Sequence, residues 1–219
     1  MKLTKTSGVF EEKNRIFTEN LESCKNIKVY DEKLINSKSR QLRSWNPYKS
    51  KLAAAILKGL EVKIEVSSDI LYLGAATGTT VSHISDIAKE GTIYSVEISP
   101  FSIKNLVELS QIRRNIIPIL EDAYHPDRYK PIVSYVDLVY QDISQKNQAE
   151  IFTENVRSYL KKNGSGILMV KSRSIDISLK PKKTYEIVSK KLEDSGLKLE
   201  EIIDLAPYEK DHAAIRITV

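Results

Sequence analysis

The sequence predicts an α/β fold: a doubly wound, mostly parallel seven-stranded sheet with an antiparallel last strand, preceded by a small N-terminal β-rich domain. Three observations carry this. From residue 69 onward, short apolar runs alternate with helical segments, and repeated βα units imply a parallel sheet with helices on both faces. The last two apolar runs are joined only by Ala206–Asp211, too short a link for a crossover, so the final strand runs antiparallel. Before residue 52 the runs are shorter and separated by charged or Asn-containing turns, as in a small antiparallel sheet.

Taken in order, the N-terminal runs are Gly8–Phe10, Arg15–Thr18, Lys28–Tyr30 and Lys33–Ile35. Leu52–Lys58 is Ala-rich and reads as a helix stopped by Gly59. Asp69–Leu73 is an apolar strand ending at Gly74. Thr79–Lys89 is a helix closed by Glu90-Gly91, and Thr92–Glu97 is the next strand. Ser99 as N-cap and Pro100 in the first turn open a helix through about Arg113. Ile116–Leu120 and Val136–Tyr140 are strands. Lys146–Lys161 reads as a helix stopped by Asn163-Gly164, and Gly166–Val170 as a strand. Pro181 opens a helix that ends near Gly196, and Leu197–Leu205 and His212–Val219 complete the sheet. The boundary this implies separates residues 1–51 from residues 52–219.

A chain of 219 residues buries enough surface to fold without a disulfide or metal staple. The single Cys24 excludes an internal disulfide framework, and one Cys with three His is too few for a Cys/His zinc site, so no metal is expected. Cys24 reads as a small buried residue, and His83 and His125 as structural. The longest apolar runs, such as Leu52–Leu57, fall far short of a membrane span. The start, Met1-Lys2-Leu3-Thr4-Lys5, leads into charged residues rather than a secretory signal. A soluble cytoplasmic protein without a membrane partner is expected.

The net charge of +5 is unevenly spread: residues 1–51 carry +6 and the rest −1. Between Lys38 and Leu60, Lys38, Arg40, Arg43, Lys49, Lys51 and Lys58 meet no acidic residue, and Trp45 and Tyr48 are interleaved. Such a stretch can bind phosphates and stack on bases, or simply form a solvated basic surface. A second basic stretch, Lys171, Arg173, Lys180, Lys182 and Lys183, faces only Asp176.

Four strand ends carry the chemistry. The turn Leu73-Gly-Ala-Ala-Thr-Gly-Thr-Thr80 has small residues that admit a ligand to the backbone, and a helix follows it. Its Gly-x-x-x-Gly spacing is neither the dinucleotide fingerprint nor a P-loop, which argues against NAD and ATP. Glu97 ends the second strand, nineteen residues after Gly78, where a carboxylate can accept from ribose hydroxyls. Asp122-Ala123 follows the third strand and can address an adenine edge. Gln141-Asp142 ends the next strand and leads into Ile143-Ser144-Gln145. Together they fit an adenosine-containing ligand without a pyrophosphate, hence S-adenosylmethionine. Lys171, directly after the strand Ile167–Val170, points either to solvent or into the same cleft.

Five segments then resemble the fibrillarin family of RNA 2′-O-methyltransferases, in its archaeal form. They are Tyr72-Leu-Gly-Ala-Ala-Thr-Gly-Thr-Thr-Val-Ser-His-Ile-Ser-Asp86, Arg43-Ser-Trp-Asn-Pro-Tyr-Lys-Ser-Lys-Leu-Ala-Ala-Ala55, Val139-Tyr-Gln-Asp142, Leu168-Met-Val-Lys-Ser-Arg-Ser-Ile-Asp176 and Pro207-Tyr-Glu-Lys-Asp-His-Ala213. The resemblance implies a Rossmann-like methyltransferase domain behind the small N-terminal one. It implies a catalytic set on Lys51, Asp142, Lys171 and His212. The cofactor positions fall on Gly74, Thr79, Thr80, Glu97, Ile98, Asp122, Ala123, Asp142, Ile143, Ser144 and Gln145. It further implies rRNA and tRNA targets chosen by a box C/D guide RNA, with a Nop-family scaffold and a kink-turn-binding protein as partners. Arg40, Arg43, Lys49 and Arg173 are the residues expected to contact RNA.

Methyl transfer to a ribose hydroxyl requires that the hydroxyl be placed and its proton removed. A lysine serves as base only when neutral: a neighbouring cation favours that form and a neighbouring carboxylate opposes it. Lys171 is the expected base, oriented by Asp142, with Lys51 holding substrate or stabilising oxyanion charge and His212 completing the network. Two other readings stand beside this one: a cofactor-binding structural subunit without activity, and a small-molecule methyltransferase.

Overall fold

The computed structural model describes residues 1–37 and 40–219; Lys38, counted above in the basic stretch, lies outside the described residues. The N-terminal part is a five-stranded antiparallel sheet built from β1 (Lys2–Leu3), β2 (Val9–Glu12), β3 (Arg15–Glu19), β4 (Leu34–Ser37) and β5 (Arg40–Trp45), in the order β1-β2-β3-β5-β4. Two sequence expectations need correcting here. Arg40–Trp45, read as a basic stretch, is a strand with four buried positions, and it pairs on both sides. Lys28–Tyr30 is not a strand. The Val29 and Tyr30 N–H groups donate to the Glu32 carboxylate at 2.9 and 2.8 Å, so a side chain takes the place of a neighbouring strand.

The second sheet has seven strands in the order β11-β12-β10-β9-β6-β7-β8. They are β6 (Ile70–Leu73), β7 (Ile93–Glu97), β8 (Ile116–Leu120), β9 (Val136–Gln141), β10 (Leu160–Lys171), β11 (Lys198–Asp204) and β12 (His212–Thr218). Only β12 runs against the rest, pairing antiparallel with β10 and β11. The helices are α1 (Lys51–Leu57), α2 (Thr79–Ile87), α3 (Pro100–Ile112), α4 (Gln148–Tyr159), α5 (Ser172–Ile175) and α6 (Pro181–Asp194). The Ser50 and Ser99 hydroxyls cap α1 and α3 by accepting the Ala53 and Ser102 N–H groups.

Alternation along the strands divides the core. Ile70, Tyr72, Leu138 and Tyr140 face α1, α2, α3 and the N-terminal sheet, whereas Leu71, Leu73 and Val139 face α4 and α6. Helices thus cover both faces, as the βα alternation requires. The first core runs unbroken from Val9, Ile16 and Trp45 through Leu52–Ala55 to the central strands, so the two sheets share one interior. Three consecutive alanines let α1 lie between β3 of one sheet and β12 of the other.

The helix expected to reach Lys161 ends at Tyr159, and β10 starts at Leu160, six residues before the expected strand. The pairing with β9 slips between Leu160 and Ser165, where Asn163 takes φ +76° and Gly164 has no room for a Cβ. The turn expected to separate helix and strand is therefore a bulge within the strand. Among the described residues no helix is long and apolar enough to cross a membrane.

Candidate active site

The turn after β6 bends through three left-handed residues: Gly74 at φ +83°, Ala76 at +49° and Gly78 at +90°. The Gly74 and Ala75 N–H groups both donate to the Val96 carbonyl, at 2.9 and 3.1 Å, locking the turn onto β7. A Cβ on Gly74 would come within 2.4 Å of the Asp142 carbonyl oxygen and 2.9 Å of Ile143 Cγ2. The turn is therefore pressed against the strand end that carries Asp142.

A cavity of about 300 Å³ opens over this turn. Gly74 lies at its base. Glu97 and Ile98 come from the end of β7, Asp122 and Ala123 from the segment after β8, and Asp142, Ile143, Ser144 and Gln145 from beyond β9. All nine were expected from the sequence, and their convergence follows from parallel strands ending at one rim. Ala76, Val96 and Glu121 also line the cavity and were missed. Thr79 and Thr80 do not line it. They open α2, and the Thr80 hydroxyl donates to Ser50 Oγ at 2.9 Å, tying α2 to the cap of α1.

Glu97 is held rigidly. Its Oε2 accepts the Ala76 N–H at 2.7 Å and its Oε1 the Ser99 N–H at 2.8 Å. Each carboxylate oxygen can accept more than one bond, so both keep capacity to receive a ligand hydroxyl. Asp122 Oδ1 accepts from the Tyr124 N–H at 2.9 Å, which fixes its direction.

Beside the cavity, Lys51 Nζ donates to both oxygens of Asp142, at 2.8 and 3.0 Å. Lys51 is the first residue of α1, and the Ser50 cap sets where its side chain starts. Lys171 ends β10. Its ammonium lies 3.5 Å from Ser144 Oγ and has no carboxylate partner among the described residues. The expectation that Asp142 orients Lys171 is corrected: Asp142 is held by Lys51 instead. Lys171 is placed through its backbone. Its N–H donates to Gln148 Oε1 at 3.1 Å, and Gln148 Nε2 donates back to its carbonyl at 3.3 Å. Gln141 anchors Gln148 by donating to the Gln148 carbonyl at 2.8 Å. This glutamine clamp was not read from the sequence, because an amide in a helix carries no signal of its partner.

His212 faces Lys171 across the β10–β12 pairing. It is 9% exposed, and its Nδ1–H donates to the Lys210 carbonyl at 2.7 Å, leaving Nε2 as the free nitrogen. Beneath the site, Tyr72 and Tyr140 are packed ring to ring at 4.5 Å, and burial holds both hydroxyls well above the usual phenol range.

The expected RNA contacts divide. Arg43 is 0% exposed and cannot touch RNA. Its guanidinium bonds Glu32 and Asp86, each at 2.8 Å, and the Ser82 carbonyl and hydroxyl. Arg113 joins from α3, bonding Asp86 at 2.6 Å and Asn20 at 2.8 Å. Two arginines and two carboxylates thus balance inside the joint between β5, α2 and α3. Burial alone would raise the Glu32 carboxyl, but the Val29 and Tyr30 N–H groups and the Arg43 charge outweigh it and hold it below its usual value. Arg40, Lys49 and Arg173 do lie at the surface, paired with Glu19, Asp31 and Asp211 at 3.9, 2.5 and 3.0 Å. Lys58 donates to the Ala206 carbonyl. The basic stretch is therefore not one continuous stripe.

His83 belongs to the same joint. Thr18 donates to Asp86 at 2.7 Å, so it accepts the Nδ1–H of His83, also at 2.7 Å. Nε2 then accepts the Tyr30 hydroxyl at 2.6 Å, and the ring stacks on Trp45 at 4.8 Å. Cys24 is buried and donates to the Ile112 carbonyl at 3.3 Å. No group of His, Cys, Asp and Glu arranged for a metal occurs among the described residues.

Comparison with known proteins gives the same family that the motifs suggest. The family model for fibrillarin matches residues 2–219. A fibrillarin-like rRNA/tRNA 2′-O-methyltransferase of Sulfolobus acidocaldarius is 50% identical over 203 residues, which cover 92% of this chain and 87% of that protein. The crystal structure of Aeropyrum pernix fibrillarin with natively bound S-adenosyl-L-methionine superposes with a TM-score of 0.85 at 40% identity, covering 96% of this chain and 93% of that one. A fibrillarin/Nop5p complex superposes with a TM-score of 0.90 at 42% identity, covering 99% of each chain. With its seven-stranded sheet, its cavity at the strand ends and a family match over nearly its whole length, this chain belongs to the fibrillarin family.

Proposed function

We propose that this chain transfers the methyl group of S-adenosylmethionine to ribose 2′-hydroxyls of rRNA and tRNA, at nucleotides chosen by a box C/D guide RNA. The observation that carries this reading is the Lys51–Asp142 pair at the edge of the strand-end cavity, with Lys171 alongside. The cavity fits the cofactor on its own terms. Gly74 lines it without a side chain, Glu97 offers acceptor capacity for two ribose hydroxyls, and Asp122 and Ala123 stand where an adenine edge can be addressed. Bound there, S-adenosylmethionine supplies an electrophilic methyl group.

The protein's task is then to place the hydroxyl and remove its proton. Lys51 spends its ammonium on Asp142, which fixes that carboxylate at the edge of the site. Lys171, which no carboxylate among the described residues holds in its charged form, accepts the hydroxyl proton as the neutral amine. His212, with Nε2 free, bonds the nucleotide. Arg40, Lys49 and Arg173 exchange their surface carboxylates for RNA phosphates, which position a strand without reading its sequence. Residues 1–51 form the small domain and residues 52–219 the methyltransferase domain, with Lys51 at the boundary.

In this reading the chain works in the cytoplasm with a Nop-family scaffold and a kink-turn-binding protein, which present the guide and target. The test is methylation of guide-matched and mismatched RNAs by the assembled complex. One 2′-O-methyl group at the guided nucleotide, absent from the mismatched RNA, is expected. Methylation independent of the guide would refute this assignment.

A further inference from the structure

Strand β9 ends at Gln141, and its last pairing with β10 is to Leu168, so Lys171 lies beyond the reach of that neighbour. On its other side β10 is still paired: Lys171 stands opposite His212, and the Ser172 N–H donates to the Asp211 carbonyl at 3.1 Å. Successive strand residues direct their N–H and C=O to opposite edges. Those of Ser172 point to β12, so those of Lys171 point to the edge that β9 has left. Without partners there, the end of β10 would fray.

The Gln148 side chain occupies that edge. Its Oε1 accepts the Lys171 N–H at 3.1 Å, and its Nε2 donates to the Lys171 carbonyl at 3.3 Å. A primary amide carries the acceptor and donor of a peptide unit, so one side chain replaces one residue of a neighbouring strand. Gln148 and Gln141 are both 0% exposed. Gln141 Nε2 holds Gln148 by donating to its carbonyl at 2.8 Å, while Gln141 Oε1 is buried without a partner. Packing alone would favour an apolar side chain in place of Gln141. What its amide adds is the bond to Gln148.

These contacts join two parts of the site. Between Gln141 and Gln148 lie Asp142, Ile143, Ser144 and Gln145, which all line the cofactor cavity. The Gln141–Gln148 bond closes this segment into a loop. Gln148 then holds Lys171 against the same loop, with the ammonium 3.5 Å from Ser144 Oγ. A lysine side chain is a long flexible stem, so the position of its backbone decides where the amine can reach. Proton removal requires that amine within hydrogen-bond reach of the hydroxyl.

We propose that Gln148 is a positioning residue for methyl transfer: its amide takes the place of a strand and holds the Lys171 backbone in register with the cofactor loop, so that the amine reaches the ribose hydroxyl. Gln148 touches no reacting atom and acts through Lys171. This rests on the reading above, in which Lys171 removes the hydroxyl proton.

The experiment uses the complex assembled with scaffold and guide-matched RNA, and compares wild type, Gln148→Leu, Lys171→Ala and the double variant. Gln148→Leu keeps the bulk and removes both bonds. At saturating cofactor and RNA, its single-turnover transfer should slow by roughly ten- to a hundredfold, the scale of a misplacement of about 1 Å. Affinities for S-adenosylmethionine and RNA should not change. In the Lys171→Ala background the same substitution should slow transfer no further. Gln148→Met repeats the comparison if the leucine variant does not fold. Wild type alone gives a second readout: the Lys171 amide should exchange its hydrogen as slowly as a paired strand amide. Exchange as fast as in an exposed loop would overturn the proposal, as would an undiminished rate in the folded Gln148 variant or an equal loss in both backgrounds. No transfer by wild type, or full transfer by Lys171→Ala, would instead overturn the reading on which the proposal rests.

Discussion

Lys51 Nζ lies 2.8 and 3.0 Å from the two carboxylate oxygens of Asp142, across 91 residues of sequence. The pair joins the first turn of α1 to the end of β9, and so fixes the edge of the cavity where four parallel strands terminate. If the two residues act as one unit, removing either removes the unit. Lys51→Met and Asp142→Asn should each slow single-turnover methyl transfer by roughly a hundredfold or more, on the scale of lost electrostatic or general-base groups. The double variant should be about as slow as the worse single one. Independent, multiplying losses would show that the pair does not act together.

Gly74 is a second point of contact with Asp142. A Cβ there meets the Asp142 carbonyl oxygen at 2.4 Å, and φ +83° is itself unfavourable for alanine. Gly74→Ala should cost about 1–3 kcal/mol of stability. It should also weaken S-adenosylmethionine binding at least tenfold, measured by calorimetry on the folded variant. Unchanged affinity in a folded Gly74→Ala protein would remove this turn from the cofactor site.

Arg43 tests the joint rather than the RNA surface. Replacing it with alanine leaves Glu32 buried without its counter-charge and Asp86 with Arg113 alone. Breaking a buried pair in this way costs about 3–5 kcal/mol. Urea unfolding of Arg43→Ala should show a loss of that size. The slope of log affinity for RNA against log salt should match wild type in conditions where the variant is folded. A stable variant whose slope falls by about 0.7–0.9, the signature of one lost phosphate contact, would place Arg43 on RNA instead.

His83 makes stability depend on pH. Burial, with Arg43 and Arg113 nearby, holds it neutral in the folded protein well below its ordinary 6.5. The unfolded chain takes up a proton below 6.5 that the folded protein refuses, so stability present above 6.5 is lost as pH falls. This group contributes a slope of up to about 1.4 kcal/mol per pH unit. Urea midpoints at pH 7.5 and 5.0 should differ more for wild type than for His83→Gln. Equal differences would mean that His83 accepts its proton within the fold.

Most of the cavity was legible because its residues follow one rule. Parallel strands place their carboxyl ends at a common rim, so the residues at successive strand ends, Gly74, Glu97, Asp122 and Asp142, had to converge. Arg43 was not legible. In sequence it resembles Arg40, and only the fold brings Glu32 and Asp86 to it, 11 and 43 residues away. The partner of Asp142 was misread for a similar reason. Lys171 lies on the neighbouring strand, but α1 delivers Lys51 from the N-terminal boundary. Lys28–Tyr30 has a strand's composition, yet Glu32 satisfies its backbone, a local competition that pattern alone does not reveal.

The most direct test of the central claim is the single-turnover rate of methyl transfer to a guide-matched RNA, for wild type and Lys171→Ala, with S-adenosylmethionine affinity measured on the same samples. Lys171 does not line the cofactor cavity, and its backbone clamp by Gln148 survives the change. The account predicts a transfer rate reduced by a hundredfold or more, within the general-base range, with cofactor affinity unchanged. Equal rates for the two proteins, or cofactor and RNA bound by wild type with no methyl group on the ribose, would contradict it.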